Sequence, residues 1–426
     1  MSDTTKKIAI IGAGFTGLSA AEKLMKQGYA VTLFEKDAQP GGLAISYKKE
    51  AWKWRLEQHY HHWFTNDISA FALAKSVKQR IVTVTPKTSI YLDKAIYQLD
   101  SPKALLQFPK LSFFERFRMG VVLALLRYNP LWQPLEQMSA TVVLPKLMGE
   151  KAWKMIWEPQ LVNKMGKFAA EMSLVFFWAR IFKRTKNLSY PEGGYGSFAD
   201  KIVASFIAHG GDVQYNTEIL SLQKAKAGKV SVQTGKESFL FDKVIVTTPS
   251  SLFCKMAPQL PHSYKQKLEK LRSIGATDLV LRLKKPLLLD KTYWLSICKK
   301  NAPIMVVVEH TNLISPSYYN NEHIVYLGNY LERTSKAYSM TKEEKLRLFD
   351  PFLKQINPDY RKNLIGYDLF KAPFAQPIVT TNYSRKIPSM QTPMSNVYLA
   401  NIDQVYPWDR GTNYAIELGN KVAKLI

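Results

Sequence analysis

A chain of 426 residues has room for two or three domains, and its 59 Lys and Arg against 34 Asp and Glu leave a formal charge of +25. Hydrophobic residues at 46% suffice for a packed core and exclude a disordered basic tail, while two cysteines, Cys254 and Cys298, exclude a disulfide framework and four-cysteine zinc or iron–sulfur sites. The surplus charge points to anionic company: nucleic acid, a lipid surface or a phosphorylated ligand.

In chain order, Lys7–Ile11 reads as a buried strand ending at glycine, too short for the core of a signal peptide. Residues 15 to 27 read as a helix, with Leu18, Ala21, Leu24 and Met25 on one face and Gly28 closing it. Ala30–Phe34 is a second apolar strand, so the chain opens with a βαβ unit. Residues 100 to 188 suggest amphipathic helices broken near Pro109, Pro130, Pro134 and Pro145. The most lipid-like run among them, Met119–Leu126, has eight residues, whereas a bilayer needs about 20. From 151 to 190, eight basic residues face two acidic ones. A helix near 197–208 follows. Strands are expected at Val213–Tyr215, Ile219–Leu222, Val230–Thr234 and, as one piece, Phe239–Thr247. Residues 278–284, 304–309 and 323–328 suggest a second sheet, and 342–356 a helix. Val397–Ala400, a loop and a helix from Asn413 close the chain.

The segment Gly12-Ala13-Gly14-Phe15-Thr16-Gly17 lies between the first strand and the first helix. Gly12 permits the tight turn, Gly14 lets backbone approach a pyrophosphate, and Gly17 lets the helix sit close, its N-terminus facing the phosphates. Glu35, followed by Lys36, ends the second strand, where a carboxylate can accept ribose hydroxyls. Gly41-Gly42-Leu43-Ala44 comes six residues later. This extended pattern resembles the FAD fingerprint of the amine oxidase, protoporphyrinogen oxidase and phytoene desaturase superfamily. Two further stretches resemble the same superfamily: Tyr190 to Pro249, and Val397 to the C-terminus. The resemblance implies that Ile219 meets adenine through its backbone, that Thr248 runs near the dinucleotide, and that the loop Arg410-Gly411-Thr412-Asn413 faces the flavin. Where the superfamily has Gly-Asp against the ribityl chain, this sequence has Asn401-Ile402.

The fold class implied is α/β: a Rossmann-like FAD-binding domain (residues 1–90, 190–255 and 395–426) interrupted by an α+β substrate-binding domain (91–189 and 256–394). Gly193, Gly194 and Gly196 form another glycine cluster, but no clear strand runs into it, so a second dinucleotide domain is not expected.

Three of the seven histidines fall in His59-Tyr60-His61-His62. No nearby Cys or carboxylate completes a metal set, so no metal is expected. His62-Trp63-Phe64-Thr65-Asn66-Asp67 resembles a segment of UDP-galactopyranose mutase, a resemblance that puts His61 or His62 beside flavin N5, available for hydrogen bonding or proton transfer near neutral pH.

These features imply an FAD-dependent oxidoreductase that oxidises or desaturates an apolar or amphipathic small molecule by hydride transfer. The alternative is a redox-neutral flavoenzyme resembling UDP-galactopyranose mutase, with Arg180, Arg184, Arg333 or Arg410 clamping a diphosphate. A non-enzymatic binder of nucleic acid finds no module to support it. The charge instead suits an anionic substrate or an anionic membrane, reached by basic amphipathic helices near 104–128 and 151–186. A cytoplasmic protein able to lie on the inner face of a membrane is the corresponding expectation.

Overall fold

A computed structural model describes residues 5–426. Its first sheet is parallel throughout. Strand β1 (Lys7–Ile11) lies between β2 (Ala30–Phe34) and Lys243–Val246, with Asp212–Gln214 outside β2 and Val397–Leu399 outside Lys243–Val246. Helix α1 (Phe15–Lys26) connects β1 to β2. Its inner face packs against the last helix, Thr412–Ala423, so closely that a Cβ on Gly419 would stand 2.3 Å from the Thr16 carbonyl oxygen. Both faces of this sheet are covered, which is why its central strands, β1 and Lys243–Val246, read as apolar runs after their first residue.

The second sheet has seven strands, in the order Leu364–Pro377, Ser273–Leu283, His323–Leu331, Val306–Glu309, Thr292–Ile297, Lys87–Leu92 and Ala95–Gln98. All pair antiparallel except Thr292–Ile297 with Lys87–Leu92. A helical layer from Pro102 to Phe182 stands beside it, and the helix Lys342–Ile356 packs on it.

Several expectations are corrected. Phe239–Thr247 is two strands: Ser238–Phe241 closes a three-stranded meander, and Lys243–Val246 joins the parallel sheet. The break falls at Asp242, whose carboxylate accepts the Lys7 N–H at 2.7 Å. The strand expected at Ile219–Leu222 is Ser221–Lys224. Pro145 sits inside the helix Ala140–Met148 instead of breaking it. Burial of Ala140, Leu144 and Met148 outweighs the one hydrogen bond a proline removes. A strand, Leu188–Pro191, does run into the Gly193–Gly196 cluster, but it pairs antiparallel in a small sheet of its own.

The helix that follows that cluster, Tyr195–Ala208, has a filled N-terminus. The Glu57 carboxylate accepts Tyr195 N–H at 2.7 Å and Tyr190 Oη–H at 2.6 Å, while Ser46 Oγ accepts Gly196 N–H at 3.0 Å. An internal carboxylate thus occupies the place where a second phosphate would bind. Burial raises the Glu57 carboxyl to about 7. A carboxyl raised on folding stabilises the fold below its ordinary range near 4.5, and that contribution is lost as pH rises through 7. Replacing Glu57 by Gln should therefore change stability less favourably at pH 5 than at pH 8, with a difference of up to about 3 kcal/mol. Urea unfolding at both pH values checks this; a variant whose stability runs parallel to the parent would refute it.

Candidate active site

Backbone on backbone builds the first part of the site. Gly12 turns with φ +104°, and a Cβ on Gly17 would stand 1.9 Å from the Gly12 carbonyl oxygen. Gly41 donates to Ala13 O at 2.9 Å, and a Cβ on Gly42 would stand 2.9 Å from Gly14 Cα. Two glycine segments thus meet at the N-terminus of α1, leaving its first amides free of side-chain cover on that side. Phe15 faces the other way, packed on Tyr195 and Phe198, while Thr16 is buried.

Glu35 is buried beside this cradle, accepting Ala13 N–H at 2.7 Å and Asp37 N–H at 3.0 Å. Each oxygen keeps a lone pair for a further donor. Asn216 and Thr217 donate to Asp37 O and Glu35 O, which brings Ile219 close to the same corner. Lys36 points to solvent and pairs with Asp37. In the Gly42–Ala44 turn, Leu43 is half-buried and Ala44 buried.

Asn401 is saturated: its amide donates to Thr248 O and Ser250 Oγ, and its oxygen accepts Asp403 N–H, each at 3.0 Å. Its side chain ties the 248–250 turn to the last strand. Among the described residues, Thr248 Oγ1 and Tyr195 Oη are buried without a hydrogen-bond partner. Thr248 stands at the cradle, its methyl 3.8 Å from where a Gly12 Cβ would be, and the Tyr195 ring lies 5.3 Å from the His61 ring, tilted by 50°. Orphaned hydroxyls between a backbone cradle and a cavity fit a polar dinucleotide running from one to the other.

That cavity has a volume of about 540 Å³. The 60–63 segment, the helices 158–165 and 174–182, Tyr293 and Trp294 of the second sheet, and the loop 409–414 all line it. His61 Nδ1 lies 2.7 Å from His59 O. A carbonyl only accepts, so Nδ1 carries the proton and Nε2 keeps its lone pair. His62 Nδ1 meets Tyr293 Oη at 3.0 Å, and His59 pairs with the buried Asp278 at 2.6 Å. The three rings thus have three separate partners and do not converge. Burial, and then Arg410, lowers the His61 imidazole to about 3; burial and Arg184 lower His62 to about 4. Both rings are neutral at pH 7, which suits hydrogen bonding better than the proton transfer near neutral pH that an ordinary histidine would offer.

The loop before the last helix is pinned from three sides. Thr412 Oγ1 accepts Trp63 Nε1–H at 2.6 Å, Asn413 Oδ1 accepts Ala70 N–H at 3.0 Å, and Arg410 lies over the Tyr330 ring at 5.3 Å. Gly411 provides the helix N-cap. Asp409, absent from the sequence expectations, organises the charges. It takes Arg180 at 2.7 Å, Lys164 at 3.4 Å and Gln376 at 3.3 Å. Although burial opposes it, Lys164 and Arg180 hold the Asp409 carboxyl below its usual range, whereas burial and Arg180 push the Lys164 ammonium well down. Lys164, Tyr293 and Trp294 were illegible as site residues because nothing near them in sequence marks them. Arg333 stands apart, over Phe374, and does not line the cavity.

The family model described as flavin containing amine oxidoreductase matches residues 15–426. Among curated relatives, coproporphyrinogen III oxidase of Staphylococcus aureus is 23% identical over 60% of this chain and 63% of its own length, so less than two thirds of that relative is spanned. Among solved structures, cyclohexylamine oxidase from Brevibacterium oxydans has a TM-score of 0.75 at 14% identity, over 99% of this chain and 98% of the other. Reduced UDP-galactopyranose mutase has a TM-score of 0.75 at 16% identity, over 99% and 96%. These likenesses are of fold.

The cradle makes two predictions. Gly17→Ala should cost about 3 kcal/mol or more of stability and abolish FAD retention. Glu35→Ala, a milder change, should weaken FAD binding by about 1.5–3 kcal/mol. Flavin absorbance per protein after gel filtration, with thermal melts alongside, tests both; parental FAD content in the two variants would overturn the assignment.

Proposed function

The chain belongs to the flavin containing amine oxidoreductase family and is an FAD-dependent oxidoreductase, and from that premise we propose that it oxidises or desaturates an amphipathic substrate with an acidic end, by hydride transfer to the flavin. The observation that carries this reading is the make-up of the cavity. Seven Lys and Arg side chains line it against three Asp, only Lys87 among the seven being paired with a carboxylate outside the lining, Asp290, and aromatic rings, Tyr60, Trp157, Phe176, Phe177 and Trp294 among them, supply much of the apolar wall. Cations held at a cavity wall in such excess are stabilised by a bound anion.

Bound FAD supplies the hydride acceptor. The Gly12–Gly17 turn and Gly41-Gly42 would hold its pyrophosphate, Glu35 its ribose, Ile219 its adenine, and the Arg410–Asn413 loop its ring edge. Arg184 lines the cavity at an exposed position, with no carboxylate within 4.0 Å among the described residues, and would take the acidic end of the substrate. His61 presents a lone pair at Nε2 and stays uncharged across neutral pH, so it would orient a substrate or cofactor N–H. Because Glu57 fills the helix N-terminus after the second glycine cluster, that cluster would not take a second dinucleotide, and electrons would come from the substrate.

A second reading has its own support. The Lys164–Arg180–Arg184–Arg410 group and the fold shared with UDP-galactopyranose mutase suit a redox-neutral reaction on a sugar nucleotide. Anaerobic bleaching of flavin absorbance by porphyrinogen carboxylates, polyenes or amines favours the first reading. Tight binding of a uridine diphosphate sugar to the dithionite-reduced enzyme, with no bleaching by the others, favours the second. Arg184→Gln should raise KM for the acidic substrate roughly tenfold or more with FAD content unchanged. If His61→Ala and His62→Ala both leave turnover and flavin spectra intact, neither histidine serves the reaction.

A further inference from the structure

The helix Phe113–Tyr128 carries its apolar residues on the outside. Phe114 and Tyr128 are each 80% exposed, Leu125 is 66% exposed, and Phe113, Phe117 and Val121 are exposed as well. At about 100° per residue these six side chains share one stripe roughly 120° wide. Met119, Val122 and Leu126 are buried on the opposite side. Single exposed apolar residues need no explanation, but a continuous aromatic stripe on a stable helix does. The helix is well made: Ser112 and Glu115 form a capping box, and the stripe therefore exists before any partner arrives.

Arginines stand on both flanks of the stripe. Arg118 lies on one side, donating to Leu147 O, with Arg116 and Arg127 on the other, donating to Leu106 O and Phe182 O. Lys103 and Lys146 are exposed on the helices that carry Leu106 and Leu147, as are those two leucines. The acidic residues nearby are spoken for: Glu115 caps the helix and pairs with Lys151, and Glu150 pairs with Lys154. No helix among the described residues is long and apolar enough to cross a membrane.

We propose that this stripe seats the protein on an anionic lipid surface, its phenyl and leucyl groups entering the headgroup–acyl boundary and its arginine and lysine flanks meeting the phosphates. Charge complementarity selects this occupant over a second copy of the chain, since a self-pairing stripe would bring two basic borders together. The inference does not depend on the substrate or reaction.

Flotation of the FAD-loaded protein with vesicles tests it. Binding is expected to vesicles of phosphatidylcholine mixed with phosphatidylglycerol at low salt, and to fall with salt and in phosphatidylcholine alone. Phe114→Ser combined with Phe117→Ser should lower the bound fraction roughly tenfold or more. Because both residues are exposed, melting temperature and flavin content should stay at parental values. Lys103→Glu with Lys146→Glu should weaken binding to the anionic vesicles alone. The proposal is overturned by absence of flotation at low salt, by flotation indifferent to the Phe substitutions, or by a dimer in sedimentation that those substitutions dissolve.

Discussion

Everything in this molecule is arranged around a close approach of backbone to backbone at the end of β1. A helix can point its free amides at a phosphate only if the turn before it carries no side chains in the way. Gly17 sits where a Cβ would be 1.9 Å from a carbonyl oxygen, and Gly42 where one would meet Gly14. From that contact the rest of the parallel sheet follows. Glu35 ties the turn to β2, Gly419 lets the last helix close over α1, and the last helix in turn places the 409–413 loop.

A second constraint is electrostatic. Two of the places where the fold gathers charge are treated differently. At Glu57 a carboxylate is surrounded by donors and by the positive end of a helix, and the arrangement closes on itself. In the cavity, Asp409 neutralises only part of the cationic group formed by Lys164, Arg180, Arg184 and Arg410. The closed arrangement is structural. The open one is the property expected of a place that receives an anion.

The helical layer does two jobs with one set of elements. Its inner residues wall the cavity: Trp157 lies on a π-helical turn and donates to Met119 Sδ at 3.3 Å. Its outer residues present the aromatic stripe. Part of the basic surplus lines the cavity and part borders the stripe.

The βαβ opening was legible residue by residue, since strand, glycines, helix and Glu35 lie in one contiguous stretch governed by local sterics and hydrogen bonding. The hairpin Lys87–Gln98 was not. It turns at Asp93-Lys94, both with positive φ, where glycine or asparagine would have signalled a turn. The strand Leu364–Pro377 was hidden by Pro373, tolerated because it lies at a sheet edge beside a register shift. By itself, then, the sequence determined the nucleotide cradle and the family. Only the tertiary structure decided the cavity, because its partners are remote: Lys164 and Asp409 are 245 residues apart, and Trp63 and Thr412 are 349 apart. Contacts of that range leave no periodicity or motif; they exist only once two sheets and a helical layer have packed.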